Sequence, residues 1–137
     1  MSAPFAARRR LRFAHCDPAG IAYYPRYLEL CDGVIEDWTE AVIGVSRRSL
    51  HCERGLGVPT ADLRADFAAP SRVGDWLDFG LRVEEVGRSS IGLAIEVLSG
   101  AERRFGVRYR QVLVELDTMR STPWPAEWRS RIEATIG

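Results

Sequence analysis

Lysine is absent, since all 19 basic residues are arginine, and this excludes chemistry through a lysine Schiff base. Cysteine is scarce. Cys16, Cys31 and Cys52 are odd in number and fit neither a disulfide framework nor a zinc site, which points to a reducing, cytoplasmic setting. Long apolar runs are missing: none approaches the roughly 18 residues of a membrane span, and Arg8-Arg9-Arg10 is not followed by the apolar stretch of a signal peptide. Net charge is missing too, with 19 acidic residues against 19 basic ones. Neither nucleic acid nor an anionic membrane is therefore expected as the main partner. No G-x-S-x-G, G-x-x-x-x-G-K or G-x-G-x-x-G occurs, which removes the serine-hydrolase elbow and the common phosphate loops. What remains is 137 residues, 46% of them hydrophobic, without repeat or linker. That is enough chain for a real core, and the expectation is one soluble, intracellular domain over 1–137.

The chain is organised around Phe13–Tyr27, FAHCDPAGIAYYPRY. Asp17-Pro18-Ala19-Gly20 has turn chemistry: Pro presets φ, Gly accepts positive φ, and an Asp side chain can bond nearby amides. Pro25 lacks an N–H and disfavours the α region at Tyr24, so a helix is predicted to begin at Tyr24 or Pro25. A carboxylate held just ahead of a helix N-terminus sets a base or nucleophile beside unpaired N–H groups that can hold an oxyanion. Two readings of Asp17 stand at this point, that hydrolytic one and a residue that only organises its turn. His15, two residues away, is read as a supporting group behind the site, and His51 as a surface or structural histidine.

Around this stretch, Met1–Ala7 reads as a loose end, and alternation from Arg8 predicts a strand ending near His15, with Leu11 and Phe13 on one side. Tyr24, Tyr27, Leu28, Cys31, Val34, Ile35, Trp38 and Val42 recur at three- and four-residue steps, the stripe of a long helix that Gly44 would stop. Asp32 sits beside that stripe, placed to reach into a pocket. A short helix capped by Ser46 is predicted up to Glu53. The pattern then turns to strands at Thr60–Phe67, Trp76–Val86, Ser90–Leu98 and Phe105–Leu116, with a hairpin turn at Ser99-Gly100-Ala101-Glu102. Arg104, Arg108 and Arg110 are expected together on the watery face of the last strand, and Ala126–Ile136 as a short closing helix. One long helix against an antiparallel sheet is an α+β layout.

The order of elements, together with FAHCDPAGIAYYPRYLELCD and VGDWLDFGLRVEEVGRSS, resembles the hot-dog thioesterases of the 4-hydroxybenzoyl-CoA thioesterase type over nearly the whole chain. The resemblance implies a hot-dog fold, a long central helix wrapped by an antiparallel sheet. It makes Asp17 the catalytic carboxylate and the Tyr24 amide the group that polarises the thioester carbonyl. It implies a homodimer or homotetramer whose sheets join edge to edge and whose sites lie between subunits. Asp32 matches a helix aspartate that, in the hydroxybenzoyl enzyme, comes from the partner subunit and binds the phenol hydroxyl, which points to a hydroxylated aromatic acyl group. Arg88 and Ser90 match the CoA-binding loop, with Ser89 standing where a basic residue is expected. The residue matching His15 is acidic in that enzyme.

The reaction so implied is acyl-CoA hydrolysis with no metal and no cofactor, coenzyme A being part of the substrate. Asp17 could act as nucleophile or as general base, and the thiol carrier could be CoA or a carrier protein. Because the fold hosts several activities, a hydratase or dehydratase pairing His15 with Asp17 and a non-catalytic acyl-thioester-binding protein remain as alternatives.

Overall fold

The apolar stripe folds as its spacing predicts. In a computed structural model, which describes residues 3–136, helix α1 spans Tyr24–Trp38 with Pro25 in its first turn and Tyr27, Cys31, Val34, Ile35 and Trp38 buried. Its last turn, Thr39–Ile43, widens, and the Gly44 N–H donates five residues back to the Thr39 carbonyl at 3.1 Å. Gly44 then adopts φ 86°, a left-handed conformation that a side chain would strain, and the helix stops there.

Five strands wrap this helix: β1 Phe5–Arg10, β3 Thr60–Phe67, β4 Trp76–Val86, β5 Ser90–Ser99 and β6 Glu102–Val112. All pair antiparallel, in the order β1-β4-β5-β6-β3. A small ribbon joins β2 Leu56–Gly57 to β7 Val114–Glu115, and α2, Ala126–Glu133, closes one end with Trp128 and Ile132 buried. Alternation decides which face meets α1. Leu77, Phe79, Leu81 and Val83 of β4, Ile91, Leu93, Ile95 and Val97 of β5, and Phe105, Val107 and Tyr109 of β6 are all buried. Each such side chain stabilises the fold by about 1.5–3 kcal/mol relative to exposure. An exposed ion pair adds about 0–1 kcal/mol, so the apolar wrap, and not the charged outer face, holds the sheet to the helix. Under the helix, burial pushes the Cys31 thiol up to about 12, which leaves it a packing group without thiolate reactivity.

Four expectations are corrected. The loose end is shorter: Met1 and Ser2 lie outside the described residues, while Phe5–Arg10 pairs with β4 from Phe5↔Leu81 to Arg10↔Trp76. That strand ends at Arg10, not near His15. The chain leaves the sheet at Leu11, whose N–H and carbonyl bond Asp75 and Gly74 (2.8 Å each), and Phe13–His15 forms a 3-10 turn. The two-residue period breaks there, leaving Leu11 1% exposed and Phe13 75% exposed. The strand expected over Phe105–Leu116 is two strands, because pairing passes from β5 to β2 around Leu113, whose N–H donates to the Ser89 carbonyl at 2.7 Å.

The fourth correction concerns Arg104. The register of β6 against β5 slips between Val97↔Phe105 and Leu98↔Arg103, so Arg104 occupies a bulge. A bulge re-aims a side chain. Arg104 folds back among Pro70, Ser71 and Asp75, its side chain 12% exposed, while Arg103 takes the outer face and pairs with Asp66 and Glu96.

Strand β3 stands apart. It lies at the edge of the sheet and is exposed along its whole length. Leu63 and Phe67 lie opposite Tyr109 and Phe105, on the inward face, yet are 39% and 50% exposed. An edge of eight residues with apolar inward side chains is a template for pairing with another chain.

Candidate active site

The turn ahead of α1 is built by short-range bonds. The Asp17 N–H donates to the Ile21 carbonyl and the Gly20 N–H to the Asp17 carbonyl (2.9 Å each), with Gly20 at φ 76°. Asp17 Oδ1 accepts the Ala19 N–H at 2.9 Å and the Ile21 N–H at 3.4 Å. Among the described residues no hydrogen bond engages Oδ2. Asp17 is half-buried; its Oδ1 organises the turn, as one of the two sequence readings expected, while its Oδ2 accepts no bond from the turn. A bridge between Cys16 and Ala22 and the Tyr23 N–H on the His15 carbonyl at 2.9 Å fold the turn back toward the helix start. The Tyr24 N–H, first of the helix, has no intrahelical acceptor. Partial burial, then the carboxylates of Asp17 and Asp75, hold the Cys16 thiol above its ordinary range, so both acids lie close to it.

Aromatic rings line the approach. Tyr23 and Tyr24 are 51% and 58% exposed and meet edge to face at 5.8 Å, and Tyr24 meets Phe67 in the same way at 6.1 Å. Phe67 stacks on Tyr27, and Tyr27 on Phe105 at 4.0 Å. A run of rings thus connects the surface beside Asp17 to the core. Sequence periodicity placed Tyr24 and Tyr27 on the stripe, but Phe67 was missed as their ring partner, because exposure of an inward-facing residue at a sheet edge has no signature in alternation.

His15 does not pair with Asp17. Its Nδ1 accepts the Arg12 N–H at 2.9 Å, across the 3-10 turn, and no bond or ion pair among the described residues joins it to the carboxylate. His51 Nδ1–H donates to the Leu56 carbonyl, 2.8 Å away; a carbonyl only accepts, so Nδ1 carries the proton. It serves the structural role expected of it.

Asp32 lies elsewhere in the chain. It stands eight residues along α1 from Tyr24, about 12 Å at the helical rise, on a cleft of about 360 Å³ shared with Glu36, Arg47, His51, Thr60 and Gln111. Asp32 is exposed at the rim of that cleft; partial desolvation raises its pKa, and Arg47 opposes that shift. Arg47 is itself pushed down by burial and was missed in the sequence, where it reads only as the first residue after the Ser46 cap. That cap is present, with Ser46 Oγ accepting the Ser49 N–H at 3.1 Å. Arg88 is exposed in the β4–β5 connection and Ser90, half-buried, opens β5; Trp124 pins both, its N–H on the Arg88 carbonyl at 3.0 Å and its Nε1–H on the Ser90 carbonyl at 2.9 Å.

The candidate residues therefore fall into two groups. Asp17 and Tyr24 sit near the Phe67 end of β3, while Asp32 shares its cleft with Thr60, at the other end. Arg88 and Ser90 belong with Asp32, since Ser90 pairs with Val112 next to the Gln111↔Thr60 pair. Between Asp17's supporting loop before Trp76 and Arg88 after Val86 runs the whole of β4, roughly 35 Å of strand.

A sheet curled around one long helix, with an acidic turn at the helix mouth, is the architecture of a hot-dog thioesterase. The family model described as "Thioesterase-like superfamily" matches residues 11–132, and the chain belongs to that family of thioester hydrolases. Among curated relatives, the 1,4-dihydroxy-2-naphthoyl-CoA hydrolase of Synechococcus elongatus is 23% identical over 134 residues, 97% of this chain and 98% of that one. The enzyme of the same name from Thermosynechococcus vestitus is 26% identical over 119 residues, 86% and 81% of the two chains. Among solved structures, a 1,4-dihydroxy-2-naphthoyl-CoA thioesterase from Synechocystis superposes with a TM-score of 0.85 at 22% identity, covering 93% of this chain and 94% of that one. A Staphylococcus aureus protein in complex with CoA gives 0.90 at 12% identity, covering 98% and 85%. The hot-dog fold and its α+β class are thereby established.

Proposed function

We propose that this chain hydrolyses an acyl-CoA thioester with a hydroxylated aromatic acyl group, at a site shared between two copies of the chain. The observation that carries the reading is the Asp17 turn: a carboxylate with one oxygen tied to backbone amides and the other unengaged, seated ahead of unpaired N–H groups at the start of α1. A thioester is already activated. A carboxylate base contributes about 10²- to 10⁴-fold and one oxyanion donor, here the Tyr24 amide, about 10²- to 10³-fold, without a metal or cofactor. Asp17 would either attack the carbonyl carbon, expelling the thiolate and leaving an anhydride for water to cleave, or take a proton from the attacking water. The hydratase alternative needs a histidine paired with the acid, and His15 Nδ1 is engaged by Arg12 instead.

The exposed β3 edge supports the shared site. Pairing about a two-fold axis runs two copies of β3 antiparallel, which sets the Phe67 end of one against the Thr60 end of the other. Asp17 and Tyr24 of one copy would then meet the Asp32 cleft of the second, with Arg88 and Ser90 near the mouth for the CoA moiety. The apolar inward faces of both edges would be covered at once.

A thiol-release assay over aromatic and aliphatic acyl-CoAs tests the reading. Wild type is expected to cleave hydroxylated aromatic substrates best, and cleavage of none would end it. Asp32→Asn is expected to cut the preference for a hydroxylated over an unsubstituted ring by about 10- to 100-fold, the worth of one hydrogen bond to a charged group. It carries a stability signature as well. Because partial desolvation raises the folded-state pKa of the exposed Asp32 carboxyl, the native state holds that proton slightly more tightly than the unfolded one, an effect that solvent screens. Stability then falls as pH climbs from the unfolded value, about 3.9, through the folded one. Asp32→Asn is therefore expected to be more stable than wild type at neutral pH and to lose that advantage below this window. Urea titrations at several pH values would reveal it, and equal stability throughout would count against desolvation of the charge at the cleft rim.

A further inference from the structure

We infer that Arg104 and Asp75 are positioning residues for Asp17, holding its turn through the loop that precedes β4. The inference rests on the role proposed for Asp17. Arg104 Nη1 donates to Asp75 Oδ2 at 2.7 Å, to Ser71 Oγ at 3.0 Å and to the Pro70 carbonyl at 3.2 Å, while its Nε lies 2.7 Å from Glu102 in an ion pair whose N–H is not directed at the carboxylate. The Arg104 carbonyl accepts the Ala68 and Ala69 N–H groups at 2.8 and 3.2 Å. One bulged residue thus fastens both ends of segment 68–75.

That segment is what the catalytic turn leans on. The Ala22 N–H donates to the Ser71 carbonyl at 2.9 Å, the Val73 N–H to the Gly20 carbonyl at 3.0 Å, and Ile21 bridges to Arg72. Asp75 Oδ2 also accepts the Arg72 N–H at 3.0 Å, and this bond, followed by the one from Arg104, holds its carboxyl below the usual range. Ser71 is fully buried. The path from guanidinium to catalytic carboxylate is therefore continuous: Arg104, then Asp75 and Ser71, then the 71–73 backbone, then Gly20–Ala22, then the Ile21 N–H and carbonyl that close on Asp17. The pair acts on the reacting atoms through this chain of bonds, because a displacement on the order of 1 Å at a reacting group costs about 10²-fold in rate.

The test is Arg104→Ala, with Arg104→Lys as a milder second variant, in the full chain, and with Asp17→Asn as the reference for the reading it depends on. Lysine keeps a charge and donors that can serve Asp75, Ser71 and Pro70 but lacks the planar guanidinium and the Nε that lies beside Glu102. Arg104→Ala is expected to lower kcat by about 10- to 100-fold with KM within about twofold, and Arg104→Lys to recover part of the loss. Amide hydrogen exchange gives the readout that general destabilisation would not: Ala19, Ile21 and Ala22 should exchange faster while Val97 and Val107 in the core strands keep their protection. Wild-type kcat in Arg104→Ala, or exchange that quickens equally in the core and at the turn, overturns the positioning role. Should Arg104→Ala fail to fold, Arg104→Lys is judged by the same two readouts. If Asp17→Asn keeps full activity, the functional reading has failed, and the exchange pattern still decides whether Arg104 fixes the turn.

Discussion

Asp17→Asn is expected to lower kcat for thioester hydrolysis by about 10²- to 10⁴-fold, the worth of a positioned base, with substrate affinity close to wild type. The substitution is chosen for what it leaves in place. An asparagine oxygen can still accept the Ala19 and Ile21 N–H groups that Oδ1 now holds, so the turn, the Gly20 conformation and the approach to α1 should persist. What goes is the charge and the nucleophilic or basic lone pair on Oδ2. Loss of turnover with an unchanged melting temperature and retained acyl-CoA binding would place the chemistry on this atom. A non-catalytic acyl-thioester-binding protein would have no turnover to lose. Activity within threefold of wild type would remove Asp17 from the mechanism.

Phe105→Ala is expected to destabilise the fold by about 3–5 kcal/mol, a large share of the 5–15 kcal/mol typical of a domain. Phe105 has no exposed surface, stacks on Tyr27 at 4.0 Å, meets Phe79 edge to face at 6.3 Å and Phe67 at 6.3 Å. Its removal takes away transfer energy and leaves a cavity that the β6 backbone, paired on both sides, cannot collapse to fill. Phe105→Leu keeps most of the volume and should cost clearly less. Denaturant titration of the two variants checks this, and a loss under about 1 kcal/mol for alanine would mean that the ring is not the keystone it is taken for.

The parts of the fold legible in the sequence are those with a period. Leu77, Phe79, Leu81 and Val83 alternate because β4 is covered on one face only, and α1 has a stripe because one side of it lies on the sheet. Pro25 and Gly44 marked both helix ends through backbone restrictions that no tertiary contact overrides. Arg104 was misread because a bulge adds one residue without changing composition, and the alternation template carried it to the wrong face. Phe13 was misread for a related reason, as nothing in Arg8–His15 announces that Leu11 will bond to Gly74 and Asp75 and pull the chain out of the sheet. Asp17 was legible as a turn residue, and its likeness to a family motif supplied the chemistry proposed for it. Its dependence on the loop before β4 was not, since that link is made of backbone bonds between segments about 50 residues apart in the chain.

The separation of Asp17 and Asp32 to opposite ends of β3 has a genetic counterpart. In the proposed dimer each site draws its Asp17 from one copy and its Asp32 from the other. A hybrid of an Asp17→Asn chain with an Asp32→Asn chain would hold one site carrying both lesions and one carrying neither. Random reassortment makes about half of the dimers hybrid. Two preparations, each defective alone toward a hydroxylated aromatic thioester, would on subunit exchange complement one another to about a quarter of wild-type activity.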